Sequence, residues 1–567
     1  MDPLLTLPHL PVILFLGGAL ILIIGGATIP VRVKNAAILL IFVAVGVVLF
    51  LMRSQLPMDV VFSDWVTSLT LLGSLIYRID AFNWSFALLL LVLLAALAWD
   101  LSTGNRPRED WRLMPALFFA SSAAFSLLFS GNLLTLMFSW SLLTTAVFAF
   151  MVSGRGSVRT VTYLLVFWSL GIVLLTWATW SIGRGDGGRW TALAYSPTAA
   201  RAIFVLAWIS LAALPVHLWL ASVEERPDIL LPFLHAIPSL IGLYLLMRLA
   251  ISQTVLPERE LWIGVGAVSL LLAGELAWSR QDRLKTLSYI AIAQSGGVML
   301  SLAISLPQAT GLIFNWSLFL PFAMLVLFLI PARAGSADPA WLDWLFMAVT
   351  GLAGACLIGL PPTAGFAVWS QLNEAALSST DLVVNMLLLA LVFVAATLIA
   401  AAFFRIWLSP AAVILSSSEE SPGLTEDVPS RRGWSRGVVG LLLLIPALAG
   451  GLLPAQLLAD LTGGDGAGWG LRTYSYTEPG IWITVLLSAC LGYVMSIWPP
   501  AMAASSHPLW QFFARLWNMA WLYRGIERLV DGGMGAVRVL VNMLYGEHWL
   551  LWAFLTLLLF LWFYLSL

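Results

Sequence analysis

Long apolar runs, each about the length of a membrane-crossing helix, dominate this sequence. Of its 567 residues, 60% are hydrophobic and 10% are charged, and the mean hydropathy is +0.95. Soluble domains carry about 25% charged residues, so a soluble fold could not bury this much apolar surface. The sequence therefore predicts an all-α polytopic membrane protein and argues against soluble and secreted folds.

The number of apolar runs predicts the number of spans. A bilayer core about 30 Å thick needs about 20 apolar residues per helix. Runs of that length predict about sixteen transmembrane helices, near residues 10–28, 36–52, 83–100, 113–130, 132–153, 160–181, 200–220, 229–250, 259–278, 284–305, 310–330, 341–360, 384–408, 437–456, 480–499 and 548–566.

The distribution of basic residues predicts the orientation of these spans. Of the 28 Lys and Arg residues, 20 lie in or beside the loops that follow odd-numbered spans. Cytoplasmic loops are enriched in Lys and Arg. We therefore expect a multi-pass protein of the plasma (inner) membrane with both termini on the non-cytoplasmic side.

Composition also excludes several kinds of site. The formal net charge is −1, so there is no basic excess for nucleic acid. Cys356 and Cys490 lie in separate apolar runs and form neither a disulfide framework nor a metal motif. The sequence contains no phosphate-binding loop, nucleophile constellation or metal cluster. We expect no cofactor, no metal site and no catalytic residue.

Two stretches differ from simple spans. Residues 409–436 are polar and rich in Pro, Gly and Ser, and we predict a flexible cytoplasmic linker there. Residues 507–546 mix aromatic and aliphatic side chains with arginines, which is typical of an amphipathic helix at the membrane surface. Such a helix serves either as an ordinary interfacial segment or as a clamp on a partner.

Two proline sites suggest broken helices and an internal repeat. Pro215 interrupts the seventh run and Pro361-Pro362 ends the twelfth, and Pro215 and Pro361 lie 146 residues apart. Corresponding interruptions in two halves are typical of inverted-repeat transporters. We predict two inverted five-helix repeats, so that the chain divides into N-terminal helices 1–111, a first repeat 112–251, a second repeat 259–408 and C-terminal helices 437–567.

The residues around these prolines match a known pattern. The run from Pro215 to Ala236, PVHLWLASVEERPDILLPFLHA, resembles the signature of the antiporter-like membrane subunits, although Ala221 replaces a family proline. Asp282–Gln294, DRLKTLSYIAIAQ, and Gly359–Phe366, GLPPTAGF, resemble two further family elements. This family comprises the proton-conducting subunits of complex I (NADH:quinone oxidoreductase), Mrp-type antiporters and membrane-bound hydrogenases.

The resemblance does not extend to the charged residues that the family uses for conduction. The family pattern has Glu after the Trp of its fifth span, where this sequence has Ser141. It has Lys before the proline of its seventh span and in its broken twelfth span, where this sequence has Ser210 and Trp369. The chain thus resembles a divergent member of this family, and the resemblance together with the missing charges implies impaired or absent proton conduction.

Three ionisable residues are candidate remnants of a proton path. His235 matches the family histidine and either relays a proton or simply bonds a neighbouring helix. Glu275 lies within an apolar run and either relays protons or pairs with a basic neighbour near the cytoplasmic edge. Lys285, at a span entrance, either carries protons or orients its helix. We expect His217, at a span end, to lie at the membrane interface.

The resemblance implies a membrane subunit of a complex I-like, hydrogenase-like or Mrp-like ion-translocating assembly, with other membrane and hydrophilic subunits as partners. The preferred hypothesis is a structural subunit, at most a non-catalytic part of an NADH:quinone oxidoreductase-type translocase. One alternative is an active proton or cation transporter that uses a shifted pathway. Another is the membrane subunit of an inorganic-carbon uptake complex.

Overall fold

The computed structural model describes most of the chain up to the fifteenth predicted span. The described residues are 8–25, 28–62, 74–103, 111–182, 195–221, 223, 227–252, 258–280, 282–304, 309–330, 339–377, 382–408, 431–452 and 479–497, with the single positions 525, 528, 532 and 535. The predicted span 548–566 and most of the predicted surface helix 507–546 lie outside them, as does the predicted linker up to residue 430.

Three N-terminal helices precede the repeated part of the chain. They are α1 (Leu10–Gly25), α2 (Val31–Met52) and α3 (Ala81–Thr103). Between α2 and α3 lies an antiparallel hairpin of β1 (Met58–Phe62) and β2 (Leu75–Ile79), in which Val60 pairs with Tyr77. The all-α prediction missed this hairpin.

The next ten helical segments and two short half-helices show the predicted repeat of helix order. The first group is α4 (Leu113–Leu128), α5 (Leu133–Ser153), α6 (Val158–Ile182), α7 (Pro197–Leu211) with α8 (Leu218–Ala221), and α9 (Pro227–Ile251). The second is α10 (Arg259–Ser279), α11 (Arg283–Ile304), α12 (Ala309–Leu329), α13 (Ala340–Ile358) with α14 (Ala364–Ala376), and α15 (Leu382–Leu408). In each group the fourth unit is broken. Five units per group is an odd number, so the second group runs in the opposite direction if each unit crosses the membrane.

The C-terminal described helices are α16 (Arg431–Leu443), α17 (Ile445–Leu452) and α18 (Pro479–Ile497). Helix α16 begins at Arg431, five positions before the predicted end of the linker at residue 436, so the helix extends beyond the apolar run. Gly440 permits its close approach to α12 and α13, since a Cβ there would lie 2.3 Å from Ile330 and 2.7 Å from Val349.

The chain is a multi-pass membrane protein. Within the described residues, eleven helices are long and apolar enough to cross a membrane, and four shorter apolar helices (α1, α4, α7 and most of α18) accompany them. The exact count of sixteen stays a prediction. In the most apolar segments of α9, α11 and α12, 94–100% of the residues are buried inside the protein, whereas in that of α2 28% are buried. Helices α9, α11 and α12 therefore form the centre of the molecule and α2 lies at its edge.

Contacts between helix ends agree with the predicted alternation of spans. Asn83, at the start of α3, donates to the carbonyl of Leu128 at the end of α4. Arg405, at the end of α15, donates to the carbonyls of Ala277 and Arg280 at the end of α10. In both cases the ends that meet are ends that the span order assigns to the same side of the membrane.

The hairpin packs on the turn between α4 and α5. The Arg78 amide donates to the Phe129 carbonyl (2.8 Å), and the Gly131 amide donates to the Ile76 carbonyl (2.7 Å). A Cβ at Gly131 would lie 2.9 Å from Ile76, so glycine permits this close approach. Asn132 then begins α5 by accepting the Thr135 amide (2.8 Å).

Candidate functional site

The first broken helix stops one turn before its proline. Helix α7 ends at Leu211, Ala212 adopts φ +54°, and α8 resumes at Leu218. Pro215 has no N–H, so the carbonyl four residues earlier, that of Leu211, loses its helical donor. The Ser295 hydroxyl donates to this carbonyl at 2.7 Å. A side chain from another helix thus satisfies the group that the break leaves open.

The second broken helix repeats this arrangement. Helix α13 ends at Ile358, Gly359 adopts φ +84°, and α14 begins at Ala364. Pro361 leaves the Leu357 carbonyl without its helical donor. That carbonyl accepts from Gln294 Nε2 at 2.9 Å and from the Trp369 indole at 3.1 Å. Both donors are uncharged.

Helix α11 joins the two breaks through consecutive residues. Gln294 and Ser295 are fully buried, and each bonds a different broken helix. Their acceptors Leu211 and Leu357 are 146 residues apart, the same offset as the prolines. Irregular backbone at membrane depth is tolerated where neighbouring helices satisfy its polar groups. Here the middle of α11 does so for both halves of the molecule.

A pair of tryptophans packs beside each break. Trp168 of α6 meets Trp219 of α8 with ring centroids 5.8 Å apart, and Trp316 of α12 meets Trp369 of α14 at 6.5 Å. The Trp219 indole donates to the Ile209 carbonyl at 3.1 Å, as the Trp369 indole does to Leu357. Each pair thus fastens the second half of a broken helix to the first half and to a neighbouring helix.

The three positions that are predicted to lack the family charge lie in different surroundings. Ser141 is partly exposed on α5, and its hydroxyl donates to the Met137 carbonyl of its own helix (2.8 Å). Ser210 is 1% exposed, and its hydroxyl has no hydrogen-bond partner among the described residues. Trp369 is also 1% exposed, and a Cβ at Gly359 would lie 2.3 Å from its ring. The indole fills the space beside the second break.

The candidate remnants His235, Glu275 and Lys285 do not meet. His235 is buried on α9, with Nε2 3.4 Å from the Ser288 hydroxyl and its ring stacked 4.6 Å from Phe328. Glu275 is half-buried, and its Oε2 has no hydrogen-bond partner among the described residues. Lys285 is exposed in the first turn of α11. Within the described part of the chain, no hydrogen bond or ion pair joins these three side chains.

The remaining residues singled out from the sequence are His217 and the prolines of the two breaks. Pro215 and Pro362 are exposed and Pro361 is partly exposed within the two breaks. His217 is 1% exposed, and its expected position at the membrane interface stays a prediction. Its ring centroid lies 6.5 Å from that of Tyr289 of α11.

A buried ion pair was missed by the sequence analysis. Arg248 of α9 is 3% exposed and pairs with Asp80 at 2.7 Å, beside the Tyr244 hydroxyl (3.2 Å). Arg78 of the hairpin lies 3.8 Å from the same Asp80 carboxylate. Tyr195, in the connection before α7, belongs to this cluster, and burial raises the pKa of its phenol. The sequence signal for this pair is Arg248 itself, an arginine at the end of an apolar run. Its partner Asp80 lies 168 residues earlier in the chain.

The described residues contain no group of three or more His, Cys, Asp or Glu side chains that could hold a metal ion. What the broken helices offer chemically is a set of hydroxyl, amide and indole donors on backbone carbonyls.

Comparison with known proteins finds similarity to subunits of quinone oxidoreductases. No family model matches it. It is 26% identical over 415 residues to NAD(P)H-quinone oxidoreductase subunit 5 of the Paulinella chromatophora chromatophore, covering 64% of this chain and 61% of that protein. It is 26% identical over 219 residues to NADH-quinone oxidoreductase subunit N of Desulforudis audaxviator, covering 35% and 44%. The chain thus spans less than two thirds of the length of these relatives.

Solved structures share the fold. A chain of the Mrp complex from a Dietzia species superimposes with a TM-score of 0.72 at 20% identity, covering 98% of this chain and 62% of that one. A chain of respiratory complex I from Thermus thermophilus gives 0.55 at 20% identity, covering 78% and 98%. In its sequence relatives and in its fold, the chain resembles the antiporter-like membrane subunit family.

Proposed function

We propose that this chain is a structural antiporter-like subunit of a complex I-like, hydrogenase-like or Mrp-like ion-translocating membrane assembly. It contributes the fold and the contacts of such a subunit but conducts no protons through its own centre. Its relatives are quinone oxidoreductase subunits, and the solved structures that share its fold come from multi-subunit complexes.

One observation carries this proposal: uncharged donors satisfy both broken helices. A proton relay needs side chains that gain and lose protons, and such groups are retained inside membranes where they function. Ser295 and Gln294 instead bond the carbonyls that the prolines free, and Trp369 occupies a position where the family has Lys. None of these three groups, the hydroxyl, the amide or the indole, changes its charge by gaining or losing a proton near neutral pH.

A second candidate function is conduction along a shifted pathway. His235 lies 3.4 Å from Ser288 at the centre of the molecule, and the Glu275 carboxylate has an oxygen without a hydrogen-bond partner among the described residues. Both groups are titratable and lie within apolar helices. Conduction along this pathway requires water that bridges His235 and Glu275, because no hydrogen bond joins these two described side chains.

Our proposal includes the predicted orientation of the chain in the membrane. With both termini on the non-cytoplasmic side of the plasma (inner) membrane, the hairpin and the Asp80–Arg248 pair face outward. The Arg405 contacts at the end of α10 then face the cytoplasm. The excess of Lys and Arg in the loops that follow odd-numbered spans supports this orientation.

Purification from the native membrane tests the assembly. The tagged chain is extracted in mild detergent and its companions are identified by mass spectrometry. We expect stoichiometric membrane and hydrophilic subunits of a quinone reductase, hydrogenase or Mrp-type complex. A soluble inorganic-carbon enzyme as the companion would instead indicate the uptake complex. A chain that purifies alone and moves protons in liposomes would contradict the proposal.

A further inference from the structure

A groove between three helices ends in an ion pair. Apolar side chains of α3, α12 and α16 line most of it, namely Ala96, Val326, Leu329, Val439 and Leu443. At one end of the groove, Nη2 of Arg436 lies 3.3 Å from Oδ1 of Asp100. These two residues are 336 positions apart in the chain. The fold thus brings one positive and one negative charge to the end of an apolar groove, which we call the α3–α16 groove.

The ion pair has the capacity to bind a further charged group. The Arg436 side chain is 42% exposed, and that of Asp100 is 10% exposed. A guanidinium carries five N–H donors, of which the bond to Asp100 uses one, and a carboxylate accepts bonds at both oxygens. The pair can therefore receive an anion through Arg436 and a cation through Asp100 at the same time.

The ion pair lies where lipid headgroups are expected. Asp100 is in the last turn of α3, and Arg436 is near the start of the apolar part of α16. Trp99 and Trp434, close to them in the sequence, are 46% and 56% exposed. Tryptophan is enriched where the apolar core of a bilayer meets the headgroups. The charged end of the groove is therefore at the membrane surface.

From the ion pair the α3–α16 groove runs toward the membrane interior. On α16 its lining extends from Arg436 to Leu443, which is two helical turns or about 10 Å. Leu329 at its side is partly exposed, so the groove is open to the surrounding lipid. An apolar groove with charges at its outer end fits an amphiphile whose tail lies in the bilayer.

We propose that the α3–α16 groove binds phosphatidylethanolamine. Arg436 binds the phosphate, Asp100 accepts from the ammonium group, and part of an acyl chain lies along the apolar lining. Phosphatidylglycerol has a phosphate but no ammonium group, so its charge meets Asp100 with nothing to offset the repulsion. Phosphatidylcholine has no N–H to donate to the carboxylate. Charge complementarity thus selects the zwitterionic lipid that carries a primary amine.

This chain alone forms the groove, so the inference is independent of the proposed function. A chain that conducts protons and a purely structural subunit would both carry the site. Failure of the lipid site would leave the proposed function standing, and the reverse also holds.

Native mass spectrometry of the purified full-length chain tests the lipid class. The chain in detergent is mixed with equal amounts of phosphatidylethanolamine and phosphatidylglycerol that have the same acyl chains. We expect the wild-type chain to retain about tenfold more of the first lipid. Equal retention of the two lipids, or retention of neither, would overturn the proposal.

Substitution of Asp100 tests which charge selects the lipid. Asp100→Asn leaves Arg436 as the only charge of the pair, so we expect the preference for phosphatidylethanolamine to fall about tenfold. Asp100→Glu keeps the carboxylate and is expected to keep the preference. The control combines Arg201→Gln with Glu258→Gln, which neutralises a pair whose side chains are 43% and 45% exposed, and should leave the lipid ratio unchanged.

The lipid ratio separates recognition from a structural role of the pair. A pair that only joins α3 to α16 would change thermal unfolding in detergent without changing which lipid is retained. An unchanged lipid ratio in a folded Asp100→Asn variant would therefore contradict the site.

Cross-linking in the native membrane tests what occupies the groove. A photoreactive benzoylphenylalanine replaces Trp99 at the groove, and Leu40 on the exposed face of α2 as the control. We expect lipid adducts at both positions, with the ratio of phosphatidylethanolamine to phosphatidylglycerol about tenfold higher at position 99. An adduct of position 99 with another protein, or equal lipid ratios at the two positions, would overturn the proposal.

Discussion

At the scale of single residues, the two broken helices depend on neutral side chains of α11 and on tryptophans. Ser295 satisfies the Leu211 carbonyl, and Gln294 with Trp369 satisfies the Leu357 carbonyl. A buried acceptor that loses its donor destabilises the fold by the cost of leaving it unpaired. These residues are therefore where single substitutions are expected to affect stability most clearly.

Removing the Ser295 hydroxyl tests the first break. Ser295→Ala leaves the Leu211 carbonyl without this donor, and we expect the free energy of unfolding in detergent to fall by about 0.5–2 kcal/mol. Ser121→Ala is the matched control, because the Ser121 hydroxyl is equally buried but bonds only Leu117 of its own helix. Equal stability losses in both variants would mean that the bond between helices has no special role.

Truncating Trp369 tests the second break. Trp369→Ala removes a fully buried indole and leaves a cavity, so we expect a loss of about 3–5 kcal/mol in the free energy of unfolding. Trp369→Phe keeps most of the ring and loses the N–H bond, while Gln294 still donates to Leu357. A smaller loss is expected for this variant, measured in the same unfolding assay. A loss as large as that of alanine would contradict a mainly space-filling role.

At the scale of helices, arginines from neighbouring helices cap the helix ends of the second repeat. Arg283 of α11 donates to the carbonyls of Leu327 and Ile330 at the end of α12. Arg405 of α15 does the same for α10, and Arg259 of α10 donates to Ala303 and Ile304 at the end of α11. A positive charge at a helix C-terminus satisfies open carbonyls and complements the helix dipole.

Replacing one of these arginines tests the capping. For Arg283→Gln we expect a loss of about 1–3 kcal/mol in the free energy of unfolding, since two bonds from a charged donor are removed. Arg32→Gln is the control, because Arg32 is exposed in the first turn of α2. Thermal unfolding of both variants in the same detergent measures the difference. If Arg283→Gln is as stable as the control, the bonds from Arg283 to the end of α12 do not contribute to the stability of the fold.

Hydropathy predicted the helices well because the bilayer sets their length and composition independently of tertiary contacts. The breaks at Pro215 and Pro361 were likewise predictable, since proline acts locally. The hairpin around Tyr77 was missed because contacts with the α4–α5 turn hold its two short strands. The caps by Gln294 and Ser295 were missed because the acceptor of a buried polar side chain depends on which helix packs beside it.

At the scale of the whole molecule, a buried ion pair ties the N-terminal helices to the first repeat. Asp80, just before α3, pairs with Arg248 near the end of α9, and Asn83 bonds the Leu128 carbonyl of α4 beside them. Both partners are largely shielded from solvent, so each requires the other.

Breaking this pair tests that connection. Asp80→Asn leaves the Arg248 guanidinium buried without a full counter-charge, and we expect a loss of about 3–5 kcal/mol in the free energy of unfolding. Arg201→Gln is the matched control, because it breaks the Arg201–Glu258 pair, whose side chains are 43% and 45% exposed. We expect less than about 1 kcal/mol for this exposed pair. Similar losses in the two variants would show that burial does not set the energy of the Asp80 pair.

Proton flux through the purified wild-type chain in liposomes tests most directly whether its centre conducts. A pH gradient is imposed with a compensating potassium current, and its decay is compared with that of empty liposomes, with a protonophore as the positive control. With Ser141, Ser210 and Trp369 at the family's charged positions, we predict the same decay as in empty liposomes. Faster decay that Glu275→Gln or His235→Asn abolishes would contradict a structural role and would establish the shifted pathway.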